Sequence, residues 1–84
     1  MKIIYTKHSK DKLREKEARK FRINKIKIEE VVRNPKNLQQ LRLVIRVVGN
    51  LDMTHSLCVV YKLTDEGDVK IITFFPVQKG RYES

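Results

Sequence analysis

From Leu57 to Leu63 the chain reads Leu-Cys-Val-Val-Tyr-Lys-Leu, apolar at odd and even positions alike apart from Lys62. A strand turns successive side chains to opposite faces, so a run of this kind must be covered on both sides and belongs in the middle of a sheet. Its neighbours in sequence fit that role. Asp65-Glu66-Gly67-Asp68 is a turn, and Val69 to Phe75 is a second strongly β run. Leu41, Leu43, Ile45 and Val47 alternate with Arg42, Val44 and Arg46, the pattern of a strand with one face buried. Gly49-Asn50 is expected to break that strand and Pro76 to end the sheet. The short connections predict antiparallel hairpins.

The first half has a different period. Residues 2–6 are β-branched and aromatic and predict a short strand. Residues 8–21 are strong helix formers without Gly or Pro, although Leu13, Ala18 and Phe21 supply nearly all of their apolar face. Asn24 is a good N-cap for a second helix over 25–34, with Ile28, Val31 and Val32 as its buried stripe and Pro35 as its stop. Residues 34–37 predict a turn. The expected fold is α+β, in the order β-α-α-β-β-β, with two N-terminal helices packed on an antiparallel sheet. Eighty-four residues make this a single domain, 1–84.

Charge is distributed unevenly. Residues 1–27 hold eleven basic and three acidic side chains, a net of +8, while residues 28–84 hold eight and seven, a net of +1. An excess confined to one segment makes a local positive field that attracts polyanions, nucleic acid foremost. Cys58 is the single cysteine, which excludes an internal disulfide and fits a reducing compartment. It reads as a small core residue. The sequence shows no signal peptide and no apolar stretch of membrane-spanning length, so the expected location is cytoplasmic, with no membrane partner.

Three short motifs carry a resemblance. They are Thr6-Lys7-His8-Ser9 with Lys12 and Leu13, then Ile28-Glu29-Glu30-Val31-Val32-Arg33-Asn34-Pro35, then Ile71-Ile72-Thr73-Phe74-Phe75-Pro76 with Lys79-Gly80-Arg81-Tyr82. In order and punctuation the chain resembles the RelE/ParE-like toxin superfamily, and within it a family of small uncharacterised domains with a Thr-x-His-Ala-like start. Ser9 stands where that family usually has Ala. A stretch of about residues 17–22 lengthens the first helix and replaces the family's usual Arg-Gly-Ile turn. The resemblance implies a metal-independent endoribonuclease toxin of a toxin–antitoxin system, acting on RNA or the ribosome and restrained by an antitoxin protein. Two other activities are open to the same scaffold: a non-catalytic RNA- or ribosome-binding module, and a ParE-like topoisomerase inhibitor.

Cleavage by a ribose 2′-hydroxyl needs proton transfer and fixed cations around one phosphate. His8 is the first candidate for proton transfer, with the cations Lys7, Lys10 and Lys12 beside it in sequence. Arg81 and Tyr82 follow the last strand, where the resemblance puts active groups. Their types suit phosphate clamping and base stacking or proton transfer. Lys12 and Arg14 suit charge stabilisation at the phosphate. Lys7, Lys10, Lys16, Arg19, Lys20 and Arg22 are candidates for steering the RNA backbone. His55, in the turn 52–55, reads as a surface loop residue. Tyr5 and Tyr61 read as wall or core residues of the sheet. No metal-ligand spacing recurs and no cofactor is implied.

Overall fold

The structure is a computed structural model that describes residues 1–80. It is α+β: β1 (Ile3–Tyr5), α1 (Lys7–Lys12), α2 (Lys16–Lys20), α3 (Lys25–Arg33), β2 (Asn37–Gln40), β3 (Ile45–Asn50), β4 (His55–Leu63) and β5 (Val69–Gln78). The five strands form one sheet in the order β1-β5-β4-β3-β2. β4 is its middle strand, as its two-faced apolar sequence requires. The sheet is mixed rather than antiparallel, because β1 runs parallel to β5. No helix among the described residues is long and apolar enough to cross a membrane.

The expected helix over residues 8–21 is two short helices, and the spacing of its apolar residues explains the break. Leu13 and Ala18 lie five apart, which on one continuous helix puts them about 140° apart around the axis. Interrupting the helix at residues 13–15 lets both pack into the core, where Ala18 is buried and Leu13 lies against it. α1 begins with Thr6 as N-cap. Its hydroxyl accepts the Ser9 N–H at 3.1 Å, while the fully buried Ser9 hydroxyl donates to the Thr6 carbonyl at 2.9 Å. α2 ends with a 2.8 Å bond from the Ile23 N–H back to the Ala18 carbonyl. This closure holds Arg22 at φ 56°, a left-handed conformation that favours glycine. Arg22→Gly is expected to raise stability by about 1 kcal/mol, read as a higher denaturation midpoint.

Of the expected strand over 41–47 only the end is extended, and a separate strand precedes it, taking in Asn37 from the expected turn. Residues 37–40 form β2, Leu41 N–H to Val44 carbonyl (2.8 Å) closes a turn, and β3 starts only at Ile45. The leucines that suggested alternation, Leu41 and Leu43, are exposed at the turn. Gly49-Asn50 does not break β3; both pair with β4. Gly49 sits under α3, where an added Cβ would lie 2.9 Å from Val31 Cγ2. Pro76 does not end the sheet either, because β5 continues to Gln78. β1 pairs with β5 only as far as Ile71, so at Pro76 the strand has β4 on one side and no strand on the other. A proline is tolerated at such an edge.

α3 packs over β3 and β4, and α1 packs against β5. The core beneath them joins Ile28, Val31 and Val32 of α3 to Val47, Leu57, Val59, Tyr61, Val69, Ile71 and Phe74. Each fully buried side chain of this size contributes roughly 1.5–3 kcal/mol. Cys58 is buried on the opposite face beside Val48, and burial pushes its thiol up to about 11. Tyr5 closes the core at the β1 edge, donating its hydroxyl to Glu29 Oε2 at 2.9 Å. Burial first, then the Glu29 carboxylate, push this phenol far above its ordinary value of 10. A group whose folded form holds its proton more tightly stabilises the fold below the unfolded value and loses that contribution as pH rises past it. Tyr5→Phe is therefore expected to weaken the protein by about 1 kcal/mol near neutral pH and to flatten its loss of stability above about pH 10, read from melts across pH.

Candidate nucleic-acid interface

A bulge in the sheet lets α1 meet the open part of β5. Val60 pairs with Thr73 and Tyr61 with Ile71, so Ile72 is the extra residue. The Thr6 N–H donates to the Ile71 carbonyl at 3.2 Å, and the Thr6 hydroxyl lies 3.3 Å from the Ile72 carbonyl. The first turn of α1 is thus fixed against β5 just past the end of β1. There the exposed His8 sets its Nε2 3.3 Å from Thr73 Oγ1. Lys12, one turn later on the same side, holds its ammonium 5.5 Å from the centre of the Phe74 ring.

Thr73 faces the side of the sheet opposite the core that α3 covers. Register extends this position into a row across four strands: Gln39 beside Arg46, Arg46 beside Val60, Val60 beside Thr73. Directly paired residues share a face, so Arg46 and Thr73 lie two strands apart, about 10 Å between backbones. The Arg46 guanidinium donates to Gln39 Oε1. In the neighbouring row Cys58 pairs with Phe75. The imidazole and the guanidinium therefore lie toward opposite edges of this face.

Lys7, Lys10, Arg14, Lys16, Arg19, Lys20 and Arg22 are all exposed. His8 against Thr73 and Lys12 over Phe74 set α1 beside β5, and Phe21, which ends α2, reaches His55 at the start of β4. α1, α2 and the turns that flank them thus carry a run of exposed cations, a basic band in the order of the two helices. Arg81 and Tyr82 lie outside the described residues. Among the described residues there is no cluster of His, Cys, Asp and Glu able to hold a metal.

The structure draws attention to two groups that sequence reasoning passed over. Arg46 had a signal, since its alternation with Ile45 and Val47 turns it to the face opposite the core. His55 is not a loop residue. It opens β4, stacks edge-on to Phe21 with ring centres 4.7 Å apart, and has Nδ1 3.3 Å from Asp52 Oδ1. Backbone N–H groups of Thr54 and His55 also donate to Asp52 Oδ1, at 2.9 and 2.7 Å. The Thr54 N–H bond, opposed by desolvation and aided by the His55 N–H and ring, holds the Asp52 carboxyl below its ordinary value. No local spacing in the sequence links residue 21 to residue 55.

Imidazole, guanidinium and a cationic band can together bind a phosphodiester chain and move a proton beside it. Comparisons with protein-family models, with curated proteins and with solved structures give no match.

Proposed function

We propose that the chain is an RNA-directed protein of the RelE/ParE-like kind that cuts RNA without a metal. The observation that carries this reading is His8, set against Thr73 of β5 by the Thr6-capped α1 and flanked by the exposed cations of that helix. The exposed cations of α1 and α2 would hold the backbone on either side of the cut.

In the proposed reaction, His8 takes the proton of a ribose 2′-hydroxyl, and the 2′-oxygen attacks the adjacent phosphorus. The bond to the 5′-oxygen breaks, and that oxygen takes a proton as it leaves. The products are a 2′,3′-cyclic phosphate and a 5′-hydroxyl. Lys12, one helical turn from His8 on α1, suits the crowded, anionic phosphorane as a cation beside the same phosphate. Arg81 and Tyr82 enter through the resemblance alone, as a further clamp and a proton donor.

Induced in cells, the parent chain is expected to stop growth and fragment RNA, and His8→Ala at equal expression is expected to do neither. Intact RNA with the parent would remove catalysis from the account. Salt-dependent RNA binding by that same inactive parent would leave the non-catalytic RNA- or ribosome-binding module.

A further inference from the structure

The far end of the basic band carries a second feature, separate from the His8 row. Lys20, Phe21 and Arg22 of the α2 end, Lys27 of α3, and Leu51 and Asp52 of the β3–β4 connection enclose a cleft of about 390 Å³. The cavity beside the β2–β3 turn is about 160 Å³ and that beside the β4–β5 turn about 270 Å³. The cleft's volume lies in the range of ligand sites, large enough for a phosphate with its sugar rather than a lone ion.

Its chemistry is that of an anion site with an apolar wall. Three cations face one carboxylate. Asp52 is exposed, and one of its oxygens is taken up by the Thr54 and His55 backbone N–H groups and by the His55 ring. Lys27 meets Glu30 only at 3.5 Å, and Glu30 is largely exposed. Phe21 is half-buried, held edge-on by His55, with the Lys20 ammonium 5.5 Å from its ring centre.

Arg22 adds an independent observation. It occupies a left-handed position that costs an arginine energy and a glycine none, and its side chain is exposed. Strained residues of this kind concentrate at ligand clamps.

The cleft also lies in line with the proposed cutting site. His8 touches Thr73, while Phe21 touches His55, the partner of Gln78. Five residues of strand separate Thr73 from Gln78, about 17 Å at the rise of a β-strand.

We propose that this cleft is a phosphate subsite for an RNA strand, several nucleotides along the basic band from His8, with Lys20, Arg22 and Lys27 as its phosphate ligands. This rests on the RNA-directed reading above and extends it. A strand gripped at both ends of the band is held in register, so the cleft sets which phosphate reaches His8.

The test is binding of single strands of about eight nucleotides, within the span of single-strand sites. One strand bears a 5′-hydroxyl and the other a 5′-phosphate, each titrated at several salt concentrations. The cleft variant is Lys20→Gln/Arg22→Gly, and Lys36→Gln/Arg42→Gln removes the same charge elsewhere on the exposed surface. The cleft variant is expected to bind on the order of tenfold more weakly, as for removal of one charge-assisted hydrogen bond. Its salt slope should become shallower by about 0.7 for each phosphate no longer neutralised. The glycine at position 22 should keep its melting temperature at or above the parent's, so weaker binding would not be unfolding. Equal losses on both strands assign the cleft to a backbone phosphodiester, and a loss confined to the 5′-phosphorylated strand assigns it to a terminal phosphate. Parent-like binding of both strands by the cleft variant, or an equal loss in the control variant, overturns the subsite and leaves the His8 reading standing. A parent that binds neither strand overturns both.

Discussion

His8→Ala is expected to slow RNA cleavage by a factor of roughly 10²–10⁴, the usual contribution of a positioned proton-transfer group. The same substitution should leave the fold intact. His8 is exposed on α1, and the cap that fixes this helix is made by Thr6 and Ser9. An exposed change away from a cap is worth within about 0.5 kcal/mol. RNA binding should persist, because the cations of α1 and α2 are untouched and they supply the salt-dependent part of affinity. Rate, melting temperature and binding measured together would separate the chemical role from a structural one. An equal fall in rate and affinity would make His8 a contact rather than a catalyst. Thr73→Val, which removes the hydroxyl 3.3 Å from His8 Nε2, should give a smaller fall in rate with binding unchanged.

Gly49→Ala is expected to cost about 1–3 kcal/mol, although it adds a single methyl group. That methyl would lie 2.9 and 3.0 Å from the two Val31 γ-carbons and 3.3 Å from its β-carbon. Val31 is buried and packed among core residues, so it has little room to retreat. Val31→Ala alone should also destabilise, by opening a small cavity. The informative protein is the double variant. With the Val31 γ-carbons gone the new methyl has space, so its loss should fall clearly short of the summed single losses. Simple additivity in denaturant unfolding would show that Gly49 is needed for some reason other than contact with α3.

These two positions also mark where the sequence could be read and where it could not. The central place of β4 was legible because a two-faced apolar run has only one kind of home. α3 was legible as well, since Asn24, Ile28, Val31, Val32 and Pro35 carry a cap, a stripe and a stop within one segment. Gly49 misled for a physical reason: a glycine inside a strand is explained by what crosses above it, and Val31 is eighteen residues earlier in the chain. Pro76 misled similarly. It is tolerated because β1 stops pairing at Ile71, a fact of topology rather than of local sequence. The parallel β1–β5 pairing was hidden too, because β1 is three residues long and its partner lies at the far end of the chain. The long helix of residues 8–21 failed on a detail that was present, the five-residue step from Leu13 to Ala18.

The candidate site divides along the same line. His8 and the cations around it could be named from the charge excess and the motif at Thr6–Ser9. The placement of α1 against β5, and the row running from Thr73 through Val60 to Arg46, exist only once the strands are in register. The cleft at Arg22 depends on three separate segments meeting, from α2, α3 and the β3–β4 connection.

The most direct test of the central claim is the chemistry of the RNA ends left by the purified parent chain in the presence of a metal chelator. Metal-independent attack by the 2′-hydroxyl predicts fragments with 2′,3′-cyclic phosphate and 5′-hydroxyl termini, produced undiminished in chelator and absent with His8→Ala. Fragments bearing 5′-phosphates, or RNA left whole under these conditions, would contradict it.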